Sequence, residues 1–384
     1  MSFPEKLQKK VEKRQQEGLL RKLSESKLEI DFSSNDYLGF SADQNLAQQT
    51  LQFLKAQKVT HNGATGSRLL SGNHTIYQKT EKRIATLHKT EKALIFNSGY
   101  DANLGFFGSV PQRGDVILYD EWIHASIRDG IRMSLANSYK FKHNSLKNIA
   151  SILKTLKKQN KYASSSEIYV VTESVFSMDG DAPDLKAFAE FCAKNNFHLV
   201  VDEAHSIGVF GTNGLGKIQE LQLEEQVFAR VYTFGKALGC HGAAIVGSAS
   251  LIEYLINFAR SFIYTTGLPP HSVATIYCAY QELKVTKEIQ KLQQNIQFFR
   301  KEVFRNNLQA FFIESHSAIQ CCIIPGNDEV TSIASRLHTN EFDVKAIRYP
   351  TVPKNQERLR FCLHSYNSEA QISEVLRLLA TFVR

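Results

Sequence analysis

The sequence has no apolar run of about 18 residues, so no membrane-spanning helix is expected. Its opening stretch, MSFPEKLQKKVEKRQQEG, lacks the apolar core of a secretory signal. The six cysteines (Cys192, Cys240, Cys278, Cys321, Cys322, Cys362) include no C-x-x-C pair and no framework spacing. They read as reduced, mostly core thiols of a cytoplasmic protein. Twelve histidines are present, but there is no H-E-x-x-H and no Cys/His cluster at zinc spacing, so no metal is expected. No G-x-S-x-G elbow occurs, which removes the common serine-hydrolase signature. Repeats and low-complexity linkers are also missing. The composition, 43% hydrophobic and 22% charged over 384 residues, excludes a disordered or fibrous chain.

The charge balance is +8. Such an excess fits nucleic acid or acidic small ligands. Residues 1–28 hold eight Lys/Arg against four acids. There the basic residues alternate with Glu5, Glu12, Glu17 and Glu25, so the stretch reads as a solvated amphipathic helix with Leu7, Val11 and Leu19 or Leu20 inward. No nucleic-acid partner is expected.

Helical periodicity continues over 46–58 and 75–88. From about residue 94, short apolar runs alternate with longer amphipathic stretches. The expected strands are Ala93–Phe96, Val116–Tyr119, Ile168–Thr172, His198–Val201, Arg230–Thr233 and Ala243–Val246, with a helix such as Asp184–Asn196 between them. This alternation predicts an α/β domain with a largely parallel sheet. Runs such as IYVVT and HLVV are apolar throughout, as strands covered on both faces should be. Gly267-Leu268-Pro269-Pro270 punctuates the chain. Beyond it come one long helical segment at 271–305, strands at 318–324 and 359–363, and helices at 329–338 and 368–383. The expected organisation is an N-terminal helix and substrate-pocket segment (1–45), a large α/β domain (46–270) and a smaller α+β domain (271–384).

Asp202-Glu203-Ala204-His205 has the letters of a helicase box. The phosphate loop that would accompany it is G-x-x-x-x-G-K-[ST]. Gly211 to Lys217 fits seven positions, but Ile218 replaces the Mg²⁺-binding hydroxyl and the segment follows the box instead of preceding it. Pyridoxal phosphate accounts for far more of the chain. That cofactor needs a lysine for its Schiff base, an acid facing the pyridine nitrogen, a phosphate cradle and a cover for the ring. Lys236 follows the strand RVYT, with Thr233 three residues earlier. Asp202 ends HLVV, where a carboxylate is costly unless paired; a helix cap is its plain structural use. His205 lies three residues on. Ser98, Gly99 and Tyr100 stand between the strand ALIF and a helix start, a natural phosphate site. His124 follows VILY, and Ser177 follows IYVVT. No one segment is specific. Five successive strand ends, each offering one part of a single site where α/β sheets place ligands, are.

These residues, with Phe32-Ser-Ser-Asn-Asp-Tyr-Leu-Gly39, Gly66-Ser-Arg-Leu-Leu-Ser-Gly-Asn73, Val175-Phe-Ser-Met-Asp-Gly-Asp181 and Pro350-Thr-Val-Pro353, make the chain resemble the α-oxoamine synthases over nearly its whole length. These are fold-type I pyridoxal-phosphate-dependent transferases. The resemblance implies a mostly parallel seven-stranded sheet plus a small α+β C-terminal domain. It implies that Lys236 carries the cofactor, Asp202 pairs its ring nitrogen and His124 stacks on the ring. His205 and Ser177 would contact the phenolic side, and Gly99, Tyr100 and Thr233 the phosphate. Thr266 resembles the segment that reaches a neighbouring subunit's phosphate, implying a homodimer with the site at its interface. Arg360 matches the arginine for the amino-acid carboxylate, Thr351 an acyl-substrate contact, and Asn35 a pocket-lining position. Arg21 matches an arginine near the distal carboxylate of the acyl chain; a surface helix charge is its plain reading. The pieces look most like the biotin-synthesis branch, whose substrates are L-alanine and a pimeloyl thioester of CoA or of a carrier protein. Branches using acetyl, succinyl or palmitoyl donors with glycine or serine stay open.

Overall fold

The structure, a computed structural model, describes residues 3–21, 23, 30–59 and 61–383. In chain order the elements are α1 (Glu5–Gln16), β1 (Ile30–Asp31), α2 (Gln44–Ala56), α3 (Thr75–Leu87), β2 (Lys92–Phe96), α4 (Gly99–Phe107), β3 (Val116–Asp120), α5 (Ala125–Met133), β4 (Asn137–Phe141), α6 (Leu146–Lys158), β5 (Ile168–Glu173), α7 (Leu185–Asn195), β6 (His198–Asp202), α8 (Lys217–Glu220), β7 (Ala229–Thr233) and β8 (Ala243–Gly247). They continue with α9 (Ala249–Phe258), α10 (Arg260–Ile263), α11 (Pro270–Glu282), α12 (Glu288–Arg305), β9 (Ile319–Ile323), α13 (Asn327–Thr339), β10 (Phe342–Asp343), β11 (Lys345–Ile347), β12 (Arg358–Cys362) and α14 (Glu369–Phe382).

The large sheet runs β2-β8-β7-β6-β5-β3-β4. Every neighbouring pair is parallel except those made by β8, which runs against both β2 and β7. β5 and β8 are buried at every position, as their unbroken apolar sequences require. Helices cover both faces. Val200, Val231 and Ile245 belong to one core and Val170, Leu199 and Val201 to another. The parallel strands present their C-terminal ends at one edge. Because β8 is reversed, its first residues arrive at that same edge.

A second, antiparallel sheet of order β11-β12-β9 lies beside α12, α13 and α14, and β1 pairs in parallel with β10. This places Asn35, a few residues after β1, close to β12. The helix expected over 271–305 is two helices. Thr286 caps the restart by accepting the N–H of Glu288, 3.2 Å away.

Three sequence expectations change here. β4, with the sequence NSYKF, is an unforeseen edge strand whose exposed polar residues hide the usual apolar signal. The N-terminal helix ends at Gln16, and Gly18 takes a positive φ of 64°; residues 1, 2, 22 and 24–29 of the expected segment lie outside the described residues. Its apolar side chains do not face inward. Leu7, Val11 and Leu20 are 46%, 40% and 38% exposed and Leu19 is half-buried, because among the described residues nothing buries the apolar face of α1. Among the described residues, no helix is long and apolar enough to cross a membrane.

Candidate active site

A cavity of about 290 Å³ opens at the C-terminal edge of the large sheet. Its lining includes Asn35, Ser98, Gly99, Tyr100, His124, Asp202, His205, Thr233 and Lys236, all singled out from sequence. It also includes Asn103, Ser126, Glu173 and His241, which the sequence reading passed over.

Each comes from a local rule of folding. β2 ends at Phe96, and Ser98 caps α4 by accepting from the N–H of Asp101 at 3.0 Å. The free N–H groups of that first turn face the cavity at the helix's positive end. Gly99 is required there, since a Cβ would lie 2.5 Å from Cγ2 of Thr233. The Thr233 hydroxyl itself is buried and has no hydrogen-bond partner. A buried hydroxyl left open beside a helix N-terminus is an anion cradle waiting to be filled.

Asp202, at the end of β6, is 7% exposed. One oxygen accepts from the Ala204 N–H at 2.9 Å, a tight local turn that replaces the helix cap read from sequence. The other accepts from the Asn103 amide at 3.0 Å. Asn103 also donates to the Ser126 hydroxyl at 3.0 Å, and that hydroxyl lies 2.7 Å from Nδ1 of His124. Nδ1 also accepts the Ser126 N–H at 3.2 Å, so it is the bare nitrogen and the ring hydrogen sits on Nε2. Burial lowers the pKa of His124, which favours the neutral ring.

Glu173 ends β5 and is 3% exposed. It accepts the His124 backbone N–H at 2.5 Å. Burial, and then the neighbouring Asp202, hold its carboxyl well above the usual carboxylate range. The signal that exposes Asp202 in the sequence, an acid closing an apolar strand, also exposes Glu173.

Nζ of Lys236 lies 2.8 Å from Nε2 of His205. Burial pulls the lysine down to about 8, against the opposing pull of Asp202. Burial, then Lys236 and Arg360, push His205 well below its ordinary value, so its ring is neutral. The loop carrying Lys236 is short and bonded to itself: Phe234 N–H to Gly242 O at 2.9 Å and Cys240 N–H to Phe234 O at 2.7 Å.

Ser177, Thr266, Thr351, Arg360 and Arg21 do not line this cavity. Arg360 donates to the Asn35 side chain at 2.9 Å and to the Ser177 carbonyl at 2.7 Å, so all three meet at the cavity's rim. The Tyr100 hydroxyl turns away to Asp129, 2.6 Å off, leaving its backbone to face the cavity. The carbonyl of Thr266 accepts from Asn97 at 2.7 Å. Thr351 lines a separate cavity of about 500 Å³ with Trp122, Arg128 and Lys140. Arg21 is exposed on the segment after α1 and is not brought to the cavity. That segment is tied to the small-sheet side where Arg348 donates to the Gly18 carbonyl at 2.7 Å.

A buried lysine of lowered pKa, a held carboxylate, a neutral flat imidazole and an open anion cradle fit the needs of pyridoxal phosphate. The comparisons agree in kind. The sequence pattern of the family described as aminotransferase class I and II matches residues 28–379. The 8-amino-7-oxononanoate synthase of Emericella nidulans is 39% identical over 368 residues, 92% of this chain and 89% of that protein. A putative 8-amino-7-oxononanoate synthase of Bacillus cereus strain Q1 is 36% identical over 353 residues, 91% and 86%. A serine palmitoyltransferase from S. paucimobilis with a bound PLP–myriocin aldimine superposes with a TM-score of 0.86 at 25% identity, covering 98% of this chain and 96% of that one. The 8-amino-7-oxononanoate synthase of Francisella tularensis gives 0.74 at 31% identity, covering 92% and 97%.

Proposed function

The chain belongs to the aminotransferase class I and II family, and from that premise we propose a pyridoxal-phosphate-dependent C-acyltransferase. It joins L-alanine to a pimeloyl thioester, with loss of CO₂ and release of the thiol, to give 8-amino-7-oxononanoate. The observation that carries this is the gathering of Lys236, Asp202, His124 and His205 from three strand ends around one cavity. The near-full-length similarity to proteins named 8-amino-7-oxononanoate synthase supports the choice of substrates.

When bound, pyridoxal phosphate supplies an electron sink for the carbanion at the amino acid's α-carbon and for the electron pair released with CO₂. The chain does the rest. Lys236 would hold the cofactor covalently, and its Nζ would move the α-proton of alanine. A base must be neutral to accept a proton, and a pKa near 8 leaves part of the lysine neutral at physiological pH. Asp202, fixed by Asn103 and the Ala204 N–H, would face the ring nitrogen. His124 covers the ring with a neutral imidazole. The first turn of α4, with Thr233, holds the phosphate. Ser177 and His205 serve the phenolic side. Arg360 takes the alanine carboxylate through parallel charge-assisted bonds, beside Asn35. Thr351 meets the acyl donor, and Arg21 the distal carboxylate. Thr266 reaches the phosphate of a second copy in a homodimer. The net positive charge helps to capture an anionic CoA or carrier-protein donor.

A second reading has its own support. The serine palmitoyltransferase structures superpose more closely than the Francisella tularensis synthase. It keeps the same chemistry with serine and a long acyl chain. A competition assay decides between them. The cofactor-loaded protein is given alanine, glycine and serine with pimeloyl-, acetyl- and palmitoyl-CoA, and the amino ketones are weighed by mass spectrometry. A dominant alanine–pimeloyl product supports the first reading. A serine–palmitoyl product overturns it in favour of the second.

A further inference from the structure

A hydrogen-bonded chain runs from the small sheet to the lysine. Nη2 of Arg360 points at the side-chain oxygen of Asn35, 2.9 Å away. The hydroxyl of Tyr37 lies 3.1 Å from that same oxygen and 2.8 Å from Nδ1 of His205. Nε2 of His205 lies 2.8 Å from Nζ of Lys236. Tyr37 is 0% exposed and His205 5%, so neither turns to water for a partner.

The donor inventory fixes the direction of every link. A guanidinium only donates, so the atom of Asn35 that it faces is the amide oxygen, which only accepts. Tyr37 therefore spends its single proton on Asn35. Its oxygen is left to accept from His205, whose Nδ1 must carry the ring hydrogen. Nε2 is then bare, and Lys236 donates to it. Reversing any one link would set two donors or two acceptors face to face elsewhere in the chain.

We propose that Tyr37 is a positioning residue that holds His205 in the Nδ1–H tautomer, so that Nε2 stands as the acceptor for Lys236. The link from this to turnover rests on the function proposed above; the tautomer itself does not. Arg360, assigned there to the substrate carboxylate, anchors the chain before substrate arrives. An accepting nitrogen at 2.8 Å favours the ammonium form of the lysine. A donating one would favour the free amine. Asp202 also favours the ammonium form, and Arg360 opposes it, while Glu173, His124 and Cys362 stand nearby. Tyr37 reaches the lysine through the ring, and it also bonds Asn35 beside Arg360. Because burial keeps His205 neutral, the choice between its tautomers is a real one.

The test uses the full chain without cofactor, with ¹⁵N-labelled histidine and ¹³C-labelled lysine. In the unaltered protein, long-range ¹H–¹⁵N spectra should show His205 with hydrogen on Nδ1. Finding it on Nε2 overturns the proposal without any variant. In Tyr37→Phe the Nδ1–H would be a buried donor with no partner, which costs free energy. The ring should therefore shift toward Nε2–H, and the pKa of Lys236 should fall by about one unit, a tenfold change in its equilibrium. A Tyr37→Phe protein that loses melting temperature but keeps the tautomer and the lysine pKa shows a purely structural tyrosine. Adding pyridoxal phosphate to the same samples separates the two claims. No visible absorption band would reject the proposed function and leave the tautomer result standing.

Discussion

Gly99 and Thr233, at the C-terminal edge of the sheet, approach so closely that a Cβ on the glycine would lie 2.5 Å from the threonine's Cγ2. That contact joins the helix start to the unpartnered hydroxyl. Gly99→Ala should raise the dissociation constant for pyridoxal phosphate at least about tenfold, since a misplaced cradle loses charge-assisted bonds. Adding Thr233→Ser removes the methyl group and keeps the hydroxyl, and should recover part of the loss. Absorbance titration measures both, and no recovery in the double variant would break the steric account.

Lys236→Ala should still bind pyridoxal phosphate, but without a covalent link and without turnover. Appreciable synthase activity in that variant would remove the lysine from its role.

Glu173 is best tested by its amide. With the carboxyl held protonated, Glu173→Gln keeps an acceptor for the His124 N–H and should be nearly neutral for stability and turnover. Glu173→Ala leaves that N–H buried without a partner and should cost about 1–3 kcal/mol in chemical denaturation. An equal loss in both variants would mean that the charge matters and the carboxylate is ionised.

His143 gives a pH signature away from the cavity. Its ring is clamped between Asp120 (2.9 Å) and Asp181 (2.8 Å) and stacks on Trp122. Burial alone would lower its pKa, but the two aspartates override that and raise it to about 9. A raised pKa means the clamp is fully stabilising below the unfolded value near 6.5 and is lost as pH climbs toward 9. Melting temperature should fall across that window, and His143→Asn should flatten the fall. The contribution is on the order of 3 kcal/mol. An unchanged slope in the variant would show that other groups cause it.

Arg21→Ala should raise KM for a dicarboxylic acyl donor and leave a plain fatty acyl donor unaffected. Equal losses for the two donors would refute carboxylate recognition.

The strands nearest the cavity were the most legible parts of the sequence. IYVVT and HLVV are apolar throughout, and a polar residue at the end of such a run stands out. Edge strand β4 was not legible, because half-solvated residues such as Asn137 and Lys140 carry no apolar signature. Leu7 and Val11 are exposed although they form an apolar face, because periodicity shows that a helix has such a face and not what covers it. Asn103 and Tyr37 escaped notice for a different reason. Each looks like an ordinary helix or loop residue until the fold brings Asp202 to one and His205 to the other.

The reversed strand β8 has a mechanical consequence for Lys236. Antiparallel neighbours can be joined by a tight connection, whereas parallel ones need a crossover of a dozen or more residues. The nine residues between β7 and β8 are knotted by the Phe234–Gly242, Cys240–Phe234 and Gly239–Lys236 backbone bonds. The amine therefore hangs from a buckle fastened at both ends. Insertions tolerated in the exposed crossovers elsewhere in the sheet should be forbidden here, since one extra residue would swing the nitrogen out of the cavity.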